Sequence, residues 1–494
     1  MSKMAQSVNS VRLLKGMLKP EQFSADEQLL ERFRVDHSLV DGTRPAIVVY
    51  PETREEVQAI VNVARENRTP VVPVSSGAPH FKGDTVPSSG GIIVDFTRMR
   101  QIIKLDEYNR IARIQPGVTF SELMPQLAAM GQRLNAPLAP RANKSVVASA
   151  LEREVPIMPK YSFDFMDPLT TLEVVYGTGD DFRTGSAAGP GKVDADLTAD
   201  LVNPWGPGVF DYYRFISAAQ GTMGLVTWAV IRTEVKPTVR KLLFVALPDV
   251  GSALAPVNQI LRRRVADECL LLDNVTMATL VADKSSDMPR LEALFAPFTL
   301  IVGIGGYRRR AEERVAIYER HFIDICAECG LMPQQTLPGA AGLECALEEV
   351  ISNSWTREPY WKLRRGDGMH EILFLCPLNM FPVYVNQMRK LVSSSTIPNL
   401  NYGVYVQPAV QGRAAQVSFF LPFDSADRAS VSDLYLSASR ALMENGAFFS
   451  RPYGPWADMV YRVDKSGAAL LRRLKVVFDP SGILNPGKLC FDRA

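Results

Sequence analysis

Two short apolar runs, Val71–Val74 and Ile92–Val94, flank a loop that carries Ser75, Ser76, Gly77, Gly83, Asp84, Thr85 and Ser88. Runs of this kind, bounded by small and turn-forming residues, read as strands joined by a loop. Small side chains let successive backbone N–H groups turn inward together, and the resulting concavity suits an anion, phosphate above all. Composition alone favours an ordinary surface loop. The chain around it argues for the anion site.

Upstream, Arg44–Pro51 reads as a short buried strand, and Thr53 with Glu56 forms a capping box. Val57, Ile60, Val61 and Ala64 then recur with helical spacing before the strand at Val71. Strand, helix and strand in succession place parallel strands in one sheet. The Ser/Gly loop then lies at a strand's carboxyl end, where such folds bind ligands. Beyond Asp95 the pattern predicts a strand over Arg110–Gln115, a helix from Thr119 to about Met130, and a helix start over Ser145–Arg153. A strand over Leu172–Tyr176 closes in the turn Gly177–Asp180. Residues 186–209, rich in Gly, Pro and Asp, read as a surface excursion.

From Lys241 the texture changes to an α+β unit with an antiparallel sheet. Its expected elements are the strands LLFVALP and FTLIVGIGGY, helices over Ala253–Arg264 and Ala311–Cys329, and then Glu371–Leu378, Val383–Val392, Tyr402–Gln407, Ala415–Leu421 and Ala426–Asn445. The segments from Glu371 to Leu421 read as a second βαβ-type half of this unit, but no repeat is strong enough to assert from the letters alone. The turn-dense end Phe478–Lys488 cannot close a sheet by itself and has to dock elsewhere.

Bulk properties narrow the class. The 494 residues suffice for two or three domains, and a net charge of +2 gives no reason to expect nucleic acid. No apolar run reaches the roughly 18 residues of a membrane span. The N-terminus lacks the apolar core of a secretory signal, so a cytoplasmic location is expected. The six cysteines read as reduced, with Cys326 and Cys329 on one helix, and no metal site is expected.

Four stretches in order resemble one family, the vanillyl-alcohol oxidase / 4-cresol methylhydroxylase flavoproteins. They are PVSSGAPHFKGDTVPSSGGIIVDF, SVVASALEREVP followed by LEVVYGTGDDFRTG, YRFISAAQGTMGLVTWAVIRTEVKP, and FDPSGILNPGKL. The resemblance implies an α+β protein: a two-subdomain FAD-binding domain with an inserted α+β cap domain over the flavin. The implied division is an N-terminal helical segment 1–40, the FAD-binding domain 41–240, the cap 241–449, and a segment 450–494 returning to the FAD domain. By the same resemblance Ser75, Ser76, Gly77, Ala78, Pro79 and His80 lie at the FAD pyrophosphate, with Ser145 and Ser149 nearby. Gly221, Thr222, Gly224 and Val226 form a second cofactor-contacting turn, and Asn485 and Lys488 belong to the tail near the isoalloxazine.

The implied catalytic set is Glu152, Arg451, Lys82 and Tyr453. Glu152 falls where the phenol oxidases carry an aspartate beside flavin N5. Arg451 matches the arginine that holds the phenolate. Two tyrosines of the phenol oxidases are replaced by Lys82 and Ser450, and paired positive charges at Lys82 and Arg451 would favour a carboxylate. Ala415-Gln416 stands where the family's flavin-linking histidine would be, so non-covalent FAD is expected in preference to attachment at His80.

The expected function is an FAD-dependent oxidase or dehydrogenase. It takes a hydride from a benzylic or allylic carbon of an aromatic substrate, a para-substituted phenol, aryl alcohol or aryl acid. The alternatives are an FAD-dependent 2-hydroxy acid dehydrogenase and a flavin-carrying electron-transfer subunit. The expected partners are a small aromatic or acidic substrate, oxygen or a redox partner protein as electron acceptor, and a second copy in a homodimer or larger assembly.

Overall fold

The computed structural model describes residues 3–159, 168–188, 201–206, 208 and 211–492. Most of the stretch 186–209, read above as a surface excursion, lies outside them. Among the described residues the strands fall into three sheets.

The first sheet contains β1 (Phe23–Ser24), β2 (Ile47–Val49), β3 (Val71–Val74) and β4 (Ile92–Asp95), in the order β1-β2-β4-β3. β4 runs parallel to both β2 and β3. The expected strand–helix–strand unit is present, but β4 enters between its strands, so β3 lies at the edge. The helix Arg54–Glu66 begins at Thr53, whose hydroxyl accepts from the Glu56 N–H at 3.2 Å. It buries Val57, Ile60, Val61 and Ala64, the positions its spacing singles out.

The free edge of β3 receives the C-terminal tail. Val71 N–H donates to Ile483 O, and Asn485 N–H donates to Val71 O, both at 2.8 Å. The preceding helix, Lys465–Phe478, holds the tail in place through the buried Lys475, whose ammonium meets Asp479, Thr222 O and Leu484 O at 2.6–2.7 Å. The turn-dense end therefore docks on the domain that begins the chain.

The second sheet contains β5 (Ile102–Asp106), β6 (Ile111–Ile114), β7 (Gln132–Leu134), β8 (Leu169–Val175), β9 (Asp181–Arg183) and β10 (Leu225–Val235). Its order is β5-β6-β10-β8-β9, with β7 on the far end of β10. Helices Phe120–Ala129 and Val146–Leu151 pack on it through Phe120, Leu123, Leu127, Val146 and Val147.

The third sheet is antiparallel, in the order β11-β13-β12-β15-β16-β14. Its strands are β11 (Val239–Leu247), β12 (Glu268–Asp273), β13 (Phe298–Gly306), β14 (Gly368–Pro377), β15 (Gly403–Ala409) and β16 (Ala414–Phe423). Helices Leu254–Arg262 and Ala311–Glu328 serve the first three strands. Phe381–Ser393 and Arg428–Glu444 serve the last three in the same β-α-β-β-α sequence. This repeat, joined at the β12–β15 pair, agrees with the second half suggested by the letters; two further helices, Asn274–Val281 and Met288–Leu294, interrupt its first half and weaken the signal. β12 and these two helices were not expected from the sequence.

Strand alternation divides the third sheet's side chains between two faces. Leu243 and Val245 join the core under the helices, whereas Phe244, Leu270, Leu272, Tyr405 and Phe420 pack with Leu138, Ile157 and Trp361. This second face looks toward the segment between β7 and β8. The cysteines are free thiols, and burial pushes Cys269, Cys326 and Cys376 up to about 12.

Candidate active site

At the carboxyl end of β3 the Ser/Gly loop is fastened to residues 141–145. Gly77 N–H donates to Asn143 O at 3.0 Å, Asn143 Nδ2 to Ala78 O at 2.9 Å, and Ser145 N–H to Ser76 Oγ at 3.1 Å. The N–H groups of Ser76, Ala78 and His80 meet no acceptor among the described residues. They supply the unpaired donors that a diphosphate requires.

Next to the loop a cleft is lined by Ser75, Asp84, Ala148, Gly221, Gly224 and Val226, with Glu152 and Tyr453 at one end. Gly221 has φ +69°, and a Cβ there would come within 2.3 Å of Pro73 Cγ. Only glycine keeps this wall close to β3. Asn485 Nδ2 bridges Asp84 O at 2.8 Å and Gln220 O at 2.7 Å, while its buried Oδ1 has no partner. A buried amide oxygen left unpaired in this wall is the kind of acceptor a ligand donor satisfies. Small walls, free backbone donors and an orphan acceptor fit FAD.

Several of the expected cofactor residues build the walls without lining the cleft. Ser145 caps its helix, accepting from Ala148 N–H at 3.0 Å. Ser149 Oγ donates to Glu154 at 2.6 Å, and Thr222 Oγ1 to Ala219 O at 2.6 Å. The Lys488 ammonium donates to Gly83 O at 2.6 Å and Val86 O at 2.7 Å, so it clamps the loop from behind.

Glu152, at the C-terminal end of the helix Val146–Leu151, stands at the end of the cleft and accepts from Lys82 and, at 2.9 Å, from Lys144. Glu154 completes the square, 2.8 Å from Lys144 and 3.4 Å from Lys82. Burial opposes the charge on Lys82, but Glu152, Tyr453 and Glu154 outweigh it and hold its pKa well above the ordinary value. Burial likewise opposes charge on Glu152 and Glu154, and the two ammonium groups overcome it and lower both carboxyls. Lys82, Glu152 and Glu154 are therefore ionised.

This arrangement corrects the expectation that Lys82 and Arg451 jointly present positive charge. Lys82 is matched by two carboxylates, and its ammonium lies 5.1 Å over the Tyr453 ring. Arg451 donates to Gln416 Oε1 at 2.6 Å and to Glu152 O at 3.5 Å. Tyr453 is buried, and burial pushes its phenol up. The four expected catalytic residues thus cluster.

A second cavity opens between this cluster and the third sheet. Lys82, Arg141, Lys144, Glu154, Lys362, Glu371, Gln416 and Arg451 supply its polar lining; Phe81, Tyr360, Trp361, Tyr405 and Phe420 supply aromatic walls. Arg141, Lys144, Glu154, Tyr360, Trp361, Lys362 and Glu371 were not singled out in the sequence. Lys144 and Glu154 lie at or beside the SVVASALEREVP stretch, but nothing in their spacing marks them. The others come from loops and from β14, which only the folded chain brings together.

His80 is held neutral: burial, then the charge on Arg141, pushes its imidazole down to about 4. His37 stacks on Phe81 at 5.2 Å, and His370 contacts Ser432 Oγ at 3.1 Å beside Phe423 and Tyr435. No group of side chains suited to hold a metal ion occurs among the described residues.

Residues 45–184 match the FAD binding domain family, and residues 456–489 match the C-terminal domain of FAD linked oxidases. The glycolate oxidase subunit GlcD of Bacillus subtilis is 24% identical, with 90% of this chain and 89% of that protein aligned. The crystal structure of p-cresol methylhydroxylase with substrate bound superimposes with a TM-score of 0.81 at 18% identity, over 99% of this chain and 97% of that one. 4-Ethylphenol oxidase from Gulosibacter chungangensis gives 0.83 at 18% identity, over 99% and 98%. With the loop donors, the glycine-walled cleft and the docked tail, these matches make the chain an FAD-dependent oxidoreductase, an oxidase or dehydrogenase, with the fold of p-cresol methylhydroxylase and 4-ethylphenol oxidase.

Proposed function

We propose that the protein oxidises an aromatic substrate at a benzylic or allylic carbon, with the ring held in the aromatic-walled cavity. The observation that carries this reading is the contact between that cavity and the cofactor cleft: Lys82 and Arg451 line the cavity, Glu152 and Tyr453 line the cleft, and Lys82 and Arg451 both meet Glu152. Bound FAD supplies the hydride acceptor.

Phe81, Tyr360, Trp361 and Phe420 give a ring large apolar contact and fix its plane. Glu152, kept anionic by Lys82 and Lys144, stabilises positive charge that develops on the carbon as the hydride leaves. Its lowered pKa makes it a better electrostatic support than a proton acceptor. Arg451, placed by Gln416, holds an oxyanion or carboxylate at the reacting end. Lys82 and Tyr453 close the cluster beneath it. Electrons then pass to oxygen or to a redox partner protein.

A second reading, oxidation of a short 2-hydroxy acid, is supported by the likeness to the glycolate oxidase subunit and by the guanidinium groups in the cavity. It leaves the aromatic walls without a partner. Anaerobic mixing with each substrate class, followed by flavin absorbance, separates the readings. Bleaching by aryl alcohols or alkylphenols supports the first, and bleaching only by D-lactate or glycolate supports the second.

A further inference from the structure

The charges around the cavity do not balance. Lys82 and Lys144 face Glu152 and Glu154, and Lys362 faces Glu371 at 2.5 Å. Arg141 and Arg451 remain, and neither has a carboxylate partner among the described residues. Both are buried, at 7% and 4% exposure. A buried guanidinium without a counter-ion is costly, because its lost hydration is not repaid by protein charge.

Arg451 is placed at the reacting end by its contact with Glu152 O. Arg141 is placed differently. One of its terminal nitrogens donates to Gly77 O at 2.8 Å, and its guanidinium carbon lies 5.8 Å from the centre of the Phe81 ring and 5.9 Å from that of Tyr360. The same nitrogen also donates to Asn143 Oδ1 at 3.4 Å, so two aromatic rings, a backbone carbonyl and one amide oxygen position the group, leaving the N–H donors of its other nitrogens unmatched among the described residues.

We infer that Arg141 is a specificity-determining residue that anchors a carboxylate carried by the substrate, at a point distinct from the group held by Arg451. The inference rests on the aromatic reading above and narrows it to aryl acids. A carboxylate accepts two parallel N–H bonds from a guanidinium, and at a buried guanidinium such a charged pair carries more selectivity than a neutral contact.

The test uses the FAD-loaded protein and two unreactive probes, benzoate and benzamide, with dissociation constants from calorimetry. Wild type is expected to bind benzoate at least tenfold more tightly than benzamide. Arg141→Met should weaken benzoate at least tenfold while benzamide is unmoved, and Arg141→Lys should fall between. Equal binding of the two probes by wild type overturns the inference even if the variants fail to fold. So does an Arg141→Met protein that keeps its benzoate affinity, or one that loses FAD along with both probes, because Arg141 would then serve the cofactor loop. If benzoate behaves as expected but no aromatic compound reduces the flavin, the anion anchor stands and the proposed reaction fails.

Discussion

The guanidinium of Arg451 and the side-chain oxygen of Gln416 are 2.6 Å apart, and both residues are buried. Gln416 stands where the family resemblance puts a flavin-linking histidine, and here it orients an arginine instead. A glutamine amide is not a nucleophile toward the flavin, so acid precipitation of the purified protein should leave the yellow colour in the supernatant. Flavin retained in the pellet would require attachment elsewhere, with His80 the first residue to examine.

Removing the guanidinium should weaken substrate capture. Arg451→Ala is expected to raise KM by an amount corresponding to about 1–3 kcal/mol of charged hydrogen bonding. FAD content should be unchanged, since Arg451 lines the aromatic-walled cavity and is absent from the lining of the glycine-walled cleft. Steady-state kinetics with a reducing substrate checks this, and an unchanged KM removes Arg451 from the site.

Glu152→Gln removes the negative charge between two ammonium groups. The rate constant of flavin reduction should fall by about 10²-fold or more, the scale of a lost charged catalytic group. Stopped-flow absorbance measures it directly. A rate within twofold of wild type would make the Lys82–Glu152–Lys144 cluster a purely structural ion network.

The legibility of this molecule divides by range along the chain. The capping box at Thr53, the β-branched runs at β3 and β4 and the loop between them are local signals, and each predicted its element. The docking of the tail on β3 was a necessity in outline, since Phe478–Lys488 had no partner of its own, but its register was not readable. The cavity was least legible. Arg141 and Trp361 are ordinary letters more than 200 positions apart that line one cavity only in the folded chain, and the pairing of Lys82 with Glu152 spans a 70-residue separation. Sequence reasoning placed Lys82 at the site and missed the carboxylates that neutralise it.

Lys475 offers a test of that docking. Its ammonium is buried and bonded to Asp479, Thr222 O and Leu484 O, which ties the last helix to both the tail and the cleft wall. Lys475→Met leaves the buried Asp479 without its cation, with only the Ile483 and Leu484 N–H groups as partners among the described residues, and should destabilise the protein by about 3–5 kcal/mol. Thermal unfolding should show the loss, and release of FAD on heating should begin earlier. An unchanged melting temperature would mean that the tail docks through β3 alone.

Asp84 gives the fold a pH dependence. Burial, then the charge on Glu152, pushes its carboxyl up to about 6 from 3.8. A group raised in this way stabilises the fold fully below its ordinary pKa and loses that contribution as the pH rises through about 6. Asp84→Asn removes the titration. The stability difference between variant and wild-type apoprotein should therefore move in the variant's favour between pH 4 and pH 7, by an amount on the order of 3 kcal/mol. Parallel melting curves across that range would show that Asp84 is not raised.

The account rests on an aromatic substrate meeting the flavin at the Glu152–Arg451 junction. Anaerobic addition of an aryl alcohol, a para-alkylphenol, a benzylic aryl acid, D-lactate and glycolate to the FAD-loaded protein, with absorbance followed near the flavin maximum, tests it most directly. The account predicts rapid bleaching by at least one aromatic compound, with the aryl acid fastest, and no bleaching by D-lactate or glycolate. Bleaching by a 2-hydroxy acid and by no aromatic compound would contradict it.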